Sequence, residues 1–169
     1  MRILSKRGKV FMLTFQMSSA DMAIVKFAPA GSPLNNIFDY VTRREATESK
    51  LISGVNCSPD SALEEFRFVK KRFHKDDGRS YYHIVQSFSP DDDLTPEEAN
   101  RIGMELAKEW AGHEVLVATH VDRKHLHNHI IINSVSHENG LKLRQNPSTL
   151  KHLRKVNDRI CMEHGLSTL

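Results

Sequence analysis

The sequence predicts an α+β layered domain, with a largely antiparallel sheet of about five strands and helices packed chiefly on one face. Three observations predict it. Segments of alternating hydrophobicity trade places with segments of three-to-four spacing in the order β-α-β-α-β-α-β-β-α. The last two strand-like runs lie only a few residues apart, too close for a crossover and right for a hairpin. The 169 residues, 39% of them hydrophobic, suffice for one domain with a real core but hardly for two domains.

Residues 1–21 show neither period. They carry the whole excess of three positive charges, Arg2, Lys6, Arg7 and Lys9 against Asp21. From Met22 onward the charges balance, so bulk charge identifies no partner. The early apolar stretch VFMLTF is shorter than the roughly 7–15 residues of a secretion signal. The domain is therefore placed at 22–169, with 1–21 as a poorly defined N-terminal extension.

MAIVKFA (22–28) opens the domain as a strand. Ser32 caps a helix with Pro33 at its first position and Leu34, Ile37, Phe38 and Val41 on one face. KLISGVNC (50–57) reads as a second strand, ended by Ser58-Pro59. Residues 60–75 place Ala62, Phe66, Val69 and Phe73 at helical spacing. SYYHIVQSF (80–88) is a β-branched and aromatic strand. Thr95-Pro96-Glu97-Glu98 is a capping box that starts a helix running to about Gly112. EVLVATHV (114–121) and HNHIIINSV (127–135) form the hairpin, and a last helix runs from near Pro147 towards Glu163, stopped by Gly165. No apolar run reaches the ~18 residues of a spanning helix. Cys57 and Cys161 are far apart and form no C-x-x-C pair, which fits a reducing, cytoplasmic compartment.

Six of the ten histidines fall between His113 and His137. If residues 123–126 form the loop, Asp122 opposes His127 and His120 opposes His129. Strand alternation then brings His120, His127 and His129 to one face, with directly opposed Cβ atoms about 4.5–5.5 Å apart. Three imidazoles suit a divalent first-row metal and leave positions open for water or substrate, as in a catalytic site. Asp122 is expected to accept the second ring N–H of one of them. His125 is a loop residue, solvated or in contact with DNA. His74, His113, His137, His152 and His164 read as ordinary surface or core residues.

From about Met22 to its end the chain resembles the relaxases, the mobilisation nucleases of conjugative elements, in their protein-primed tyrosine type. The resemblance rests on His120-x-Asp122-x4-His127-x-His129 followed by Ile132-Asn133, and on Tyr40 in NIFDYVTRRE. NCSP (56–59) and YYHIVQSF (81–88) stand in the expected order; TRREAT (42–47) replaces the Asn-Pro-Glu-Lys-Thr-like stretch of many relatives. The resemblance implies a relaxase-like fold and cleavage of one DNA strand at an origin of transfer. Tyr40 would be the nucleophile, and Mn²⁺ or Mg²⁺ (Zn²⁺ as a further candidate) the ion on the histidines. Asp122, or a histidine outside the metal set, would take the phenol proton. Single-stranded DNA would be the partner, with accessory mobilisation proteins beside it and no membrane insertion. Relaxases generally continue into longer C-terminal regions, so the chain is expected to be a shortened form.

For DNA contacts, Arg43 and Arg44 follow Tyr40 by one helical turn, Ser87 matches a family serine beside the nick, and Asn133 closes the histidine motif. Residues 142–169 hold six basic against two acidic side chains, a candidate backbone-tracking helix. Tyr81 and Tyr82 are the fallback nucleophiles. Two other readings fit the same residues: a three-histidine zinc hydrolase of a small substrate, and a truncated origin-binding module without turnover.

Overall fold

In the computed structural model the described residues are 23–168, so the expected 1–21 extension lies outside them. Strands β1 (Ile24–Ala28), β2 (Ile52–Val55), β3 (Tyr81–Ser87), β4 (Val115–His120) and β5 (His127–Asn133) form one sheet in the order β1-β3-β5-β4-β2. Every neighbouring pair is antiparallel. Strand β5 occupies the centre, and all seven of its residues are buried. Helices α1 (Leu34–Val41), α2 (Ala62–Arg72), α3 (Pro96–Ala107) and α4 (Pro147–Glu163) complete the α+β fold in the expected element order.

The two faces of the sheet carry separate cores. Val115, Val117, Ile130 and Ile132 pack with Ile102 and Leu106 of α3 and with Leu153, Val156 and Ile160 of α4. Leu116, Ala118, Ile131 and Tyr81 pack with Leu34, Ile37, Phe38 and Val41 of α1 and with Phe66 of α2. Burial of each such Leu, Ile or Phe is worth roughly 1.5–3 kcal/mol. Helix packing is thus less one-sided than the sequence suggests: the longer pair covers one face, and the shorter pair part of the other. The basic side chains Lys151, Arg154 and Lys155 are exposed on α4, which belongs to the face opposite Leu116 and Ala118. Among the described residues no helix is long and apolar enough to cross a membrane, and both cysteines are free thiols.

Helix ends follow local chemistry. Thr95 Oγ1 accepts from the Glu98 amide, and the Glu98 carboxylate accepts from the Thr95 amide at 2.9 Å, closing the capping box at α3. Asn146 caps α4 in the same reciprocal way with Thr149. At α1 the sequence expectation is corrected by one residue. Pro33, with ψ 148°, occupies the cap position, and the Ser32 hydroxyl instead bonds the Tyr81 hydroxyl at 2.7 Å. Helix α3 ends earlier than Gly112 and tightens into a 3-10 turn at Lys108–Trp110.

A chain of buried polar side chains crosses the α3/α4 face. Thr119 Oγ1 donates to Asn128 Oδ1 at 2.6 Å, and Asn128 Nδ2 donates to Gln86 Oε1 at 2.8 Å and to the Ala99 carbonyl at 2.7 Å. Gln86 continues to Asn157 of α4, and Asn100 of α3 joins Thr119 to Ser53 of β2. Gly103 makes room for it: a Cβ there would lie 2.6 Å from Asn128 Nδ2. Unpaired buried donors and acceptors each cost about 1–3 kcal/mol, so these bonds fix how β3, β5 and β4 slide against one another. Asn128→Leu is expected to lower the urea-derived stability by about 3 kcal/mol; a loss under about 0.5 kcal/mol would contradict this role.

Candidate active site

On the α1/α2 face, alternation along β4 and β5 brings His120, His127 and His129 together. The register is His120 opposite His127 and Ala118 opposite His129, so the connecting loop spans residues 121–126. This corrects the expected pairing by two residues and moves Asp122 off the ladder into the loop. A shift of two leaves every side chain on its original face, and so the three rings still converge. Their centroids lie 4.2 Å apart for His120–His129 and 5.1 Å for His120–His127 and His127–His129. One ring nitrogen from each lies within 4.8 Å of the others, and all three residues are buried.

Each histidine has its other nitrogen engaged. His120 Nε2 donates to the Val41 carbonyl at 2.8 Å. His129 Nδ1 lies 2.8 Å from His83 Nε2, and His127 Nδ1 lies 3.4 Å from the His125 carbonyl. His120 Nδ1 and His129 Nε2 are left buried with no hydrogen-bond partner. Burial, reinforced for His127 and His129 by the neighbouring rings, pushes His127 down to about 3 and His129 well below the usual imidazole range. Burial likewise takes His120 down to about 4. Three neutral rings with a nitrogen from each within 4.8 Å of the others, two of those nitrogens unpartnered, are the kind of donor set a divalent metal needs. His120 Nδ1, His127 Nε2 and His129 Nε2 fit such an ion.

Tyr40, half-buried at the end of α1, lies over these rings, 5.5 Å from His129 and 6.1 Å from His120 between centroids. The Arg43 guanidinium sits 4.3 Å from the Tyr40 ring centre and donates to the Tyr40 carbonyl at 2.7 Å. Its other arm pairs with Asp122 Oδ2 at 2.9 Å. Asp122 therefore answers Arg43 rather than a ligand histidine, whose N–H groups have the acceptors named above. The fallback tyrosines do not reach the cluster. Tyr81 is fully buried against Ser32, and the Tyr82 hydroxyl donates to the Leu143 carbonyl at 2.8 Å.

Ser87 pairs across the ladder with His127, which puts it on the histidine face. Arg44 is exposed just beyond α1. Asn133 is a correction. It is fully buried at the far end of β5, bonded to Lys70, the Phe66 carbonyl and Glu114, and its amide serves the core rather than a DNA surface. Two residues escaped sequence reasoning. His83 shares the face and bonds His129. Lys26 reaches the same face through Val85, which separates it from His129. The 83-85-87 alternation on β3 could have flagged His83 once Ser87 was assigned, but only the β3–β5 pairing puts it against His129. His113, His152 and His164 bond within the fold, to the Asn133 carbonyl, Glu109 and Glu105.

The relaxase family of MobA/VirD2-like nuclease domains matches residues 40–166. A relative named protein rlx from Staphylococcus aureus is 45% identical over 116 residues, 68% of this chain and 36% of the relative. A second protein rlx from the same species is 39% identical over 147 residues, 86% of this chain and 43% of the relative. The group II intron-interrupted relaxase LtrB of Lactococcus lactis subsp. cremoris is 31% identical over 166 residues, 88% of this chain and 30% of the relative. The chain spans less than half the length of these relatives.

The depressed histidines set a pH dependence. Between pH 6.5 and 5, above the ordinary carboxylate range, the unfolded chain protonates these imidazoles while the folded chain keeps them neutral. Stability present above pH 6.5 is therefore lost as pH falls. Thermal melts in chelator are expected to show Tm dropping across this window, less steeply in His127→Gln; a flat or rising Tm would contradict the neutral cluster.

Proposed function

The chain belongs to the relaxases of the MobA/VirD2-like nuclease type, and from that premise we propose that it nicks and rejoins one DNA strand at an origin of transfer by metal-dependent tyrosine transesterification. The observation that carries the reading is the seating of Tyr40 against His120 and His129, in a cluster of three buried imidazoles that offer ring nitrogens within 4.8 Å of one another, two of them without a hydrogen-bond partner. A phosphodiester resists attack because its oxygens already carry negative charge. A divalent ion on His120, His127 and His129 would withdraw charge from those oxygens and orient the phosphate.

The chain's own residues supply the rest. The Tyr40 oxygen attacks the scissile phosphorus, forming the P–O(Tyr) bond as the P–O3′ bond breaks. The products are a 5′-phosphotyrosine link and a 3′-oxygen that takes up a proton from water to become a free 3′-hydroxyl. A phenol is ordinarily protonated at neutral pH, so the attack needs a proton acceptor. We assign that role to Asp122, the carboxylate that Arg43 ties to the turn of Tyr40. The Arg43 charge beside the ring favours negative charge developing on the attacking oxygen. Ser87 and Lys26 lie on the same face and, with the exposed Arg44 just beyond α1, are assigned to the sugar–phosphate backbone around the nick. Because the ester conserves the energy of the broken bond, the 3′-hydroxyl can attack in turn and reseal the strand. Single-stranded DNA at an origin is the proposed partner, with accessory mobilisation proteins, in the cytoplasm.

Incubated with Mn²⁺ and a pool of single-stranded oligonucleotides, the protein is expected to give an adduct that survives SDS. Tyr40→Phe should abolish the adduct and leave metal binding intact. Cleavage that persists in Tyr40→Phe would favour the hydrolase reading, and DNA binding without cleavage the binding-module reading. In a second test, His129→Ala should lose both activity and the rise in Tm on adding Mn²⁺, since a ligand of the folded state raises apparent stability. A Tm insensitive to Mn²⁺ and chelator in the unsubstituted protein would remove the metal from the proposal.

A further inference from the structure

His83 has no part in the histidine motif, yet it is buried beside it. Its Nε2 lies 2.8 Å from His129 Nδ1, with ring centroids 5.1 Å apart. One proton serves this pair, and it can sit in two places. If His83 carries it on Nε2, His129 Nδ1 accepts, and the remaining proton of neutral His129 falls on Nε2. That N–H would then point, buried and unpaired, towards the ring nitrogens of His120 and His127. If His129 carries it on Nδ1, His83 Nε2 accepts, and His129 Nε2 presents a lone pair. Of the two, only the second leaves no buried N–H of His129 without an acceptor.

We propose that His83 is a positioning residue that locks His129 in its Nδ1–H tautomer and so keeps His129 Nε2 free to bind a divalent metal. The inference rests on the metal reading of the triad and adds a residue to it. In that arrangement His129 Nδ1 donates to His83 Nε2, and neutral His83 keeps its own proton on Nδ1. A backbone carbonyl serves His120 in the equivalent way through Val41. Strand alternation made this possible. His83 opposes Ile131 on β5, so it shares the face of His129 one step diagonally along the sheet. An outer partner of this kind fixes ring orientation and typically changes metal affinity 10–100-fold.

The test uses the full chain and two readouts that do not depend on turnover. Long-range ¹H–¹⁵N spectra of the metal-free protein report the tautomer of His129, and calorimetric titration with Mn²⁺ reports affinity. The unsubstituted protein is expected to show His129 as Nδ1–H. His83→Phe should lose that tautomer and bind Mn²⁺ about 10–100-fold more weakly. His83→Gln, whose side-chain oxygen can accept from Nδ1–H, should restore both to within a few-fold. His129 found as Nε2–H in the unsubstituted protein would overturn the inference even if His83→Phe failed to fold. So would His83→Phe with unchanged affinity, or His83→Gln as weak as His83→Phe. Failure of the unsubstituted protein to bind Mn²⁺, with His129 still Nδ1–H, would instead sink the metal reading and leave the tautomer lock standing.

Discussion

The hydrogen bond from His120 Nε2 to the Val41 carbonyl fastens two parts of the chain that are far apart in sequence. Val41 is the last residue of α1, where backbone carbonyls have no partner within the helix. His120 is the last residue of β4. By supplying the missing donor, His120 seats the end of α1 on the sheet, and with it the adjacent Tyr40. A second bond, from the Val121 amide to the Ala46 carbonyl at 2.8 Å, holds the chain after α1 against the end of the same strand. The same imidazole then has its Nδ1 turned to the cluster. Helix end, tyrosine and the ring nitrogen proposed to hold the metal are placed by one contact.

The sheet beneath is built to resist slippage at this level. His127 and His129 flank Asn128, whose amide is held from both neighbouring strands and from α3 on the opposite face. Desolvating so many polar groups is costly, and the cost is offset only while each has its partner. A slip of one residue would break the amide chain and turn the histidines away from Tyr40 together. Stability on one face of β5 and the geometry of the site on the other are thus the same constraint.

Much of this was legible in the chain itself. The capping box at Thr95 and Glu98, the β-branched run Ile130-Ile131-Ile132 in β5 and the helical spacing of Ile37, Phe38 and Val41 each specify their element locally. His120, His127 and His129 share a face under either register, which is why their convergence survived an error in the hairpin loop. What failed depended on non-local pairing. Asn133 sits in the histidine motif, but its position at the distant end of β5 buries it beside Lys70 and Glu114. Asp122 looked like a partner for a ligand histidine until the six-residue loop carried it to Arg43. His83 acquires meaning only from the pairing of β3 with β5, which no local pattern announces.

The most direct measurement is anomalous diffraction from crystals of the protein grown with Mn²⁺. The account predicts a single strong peak bonded to His120 Nδ1, His127 Nε2 and His129 Nε2, beneath the Tyr40 ring. A peak elsewhere, or rings at the cluster rotated so that fewer than three nitrogens reach one ion, would contradict it.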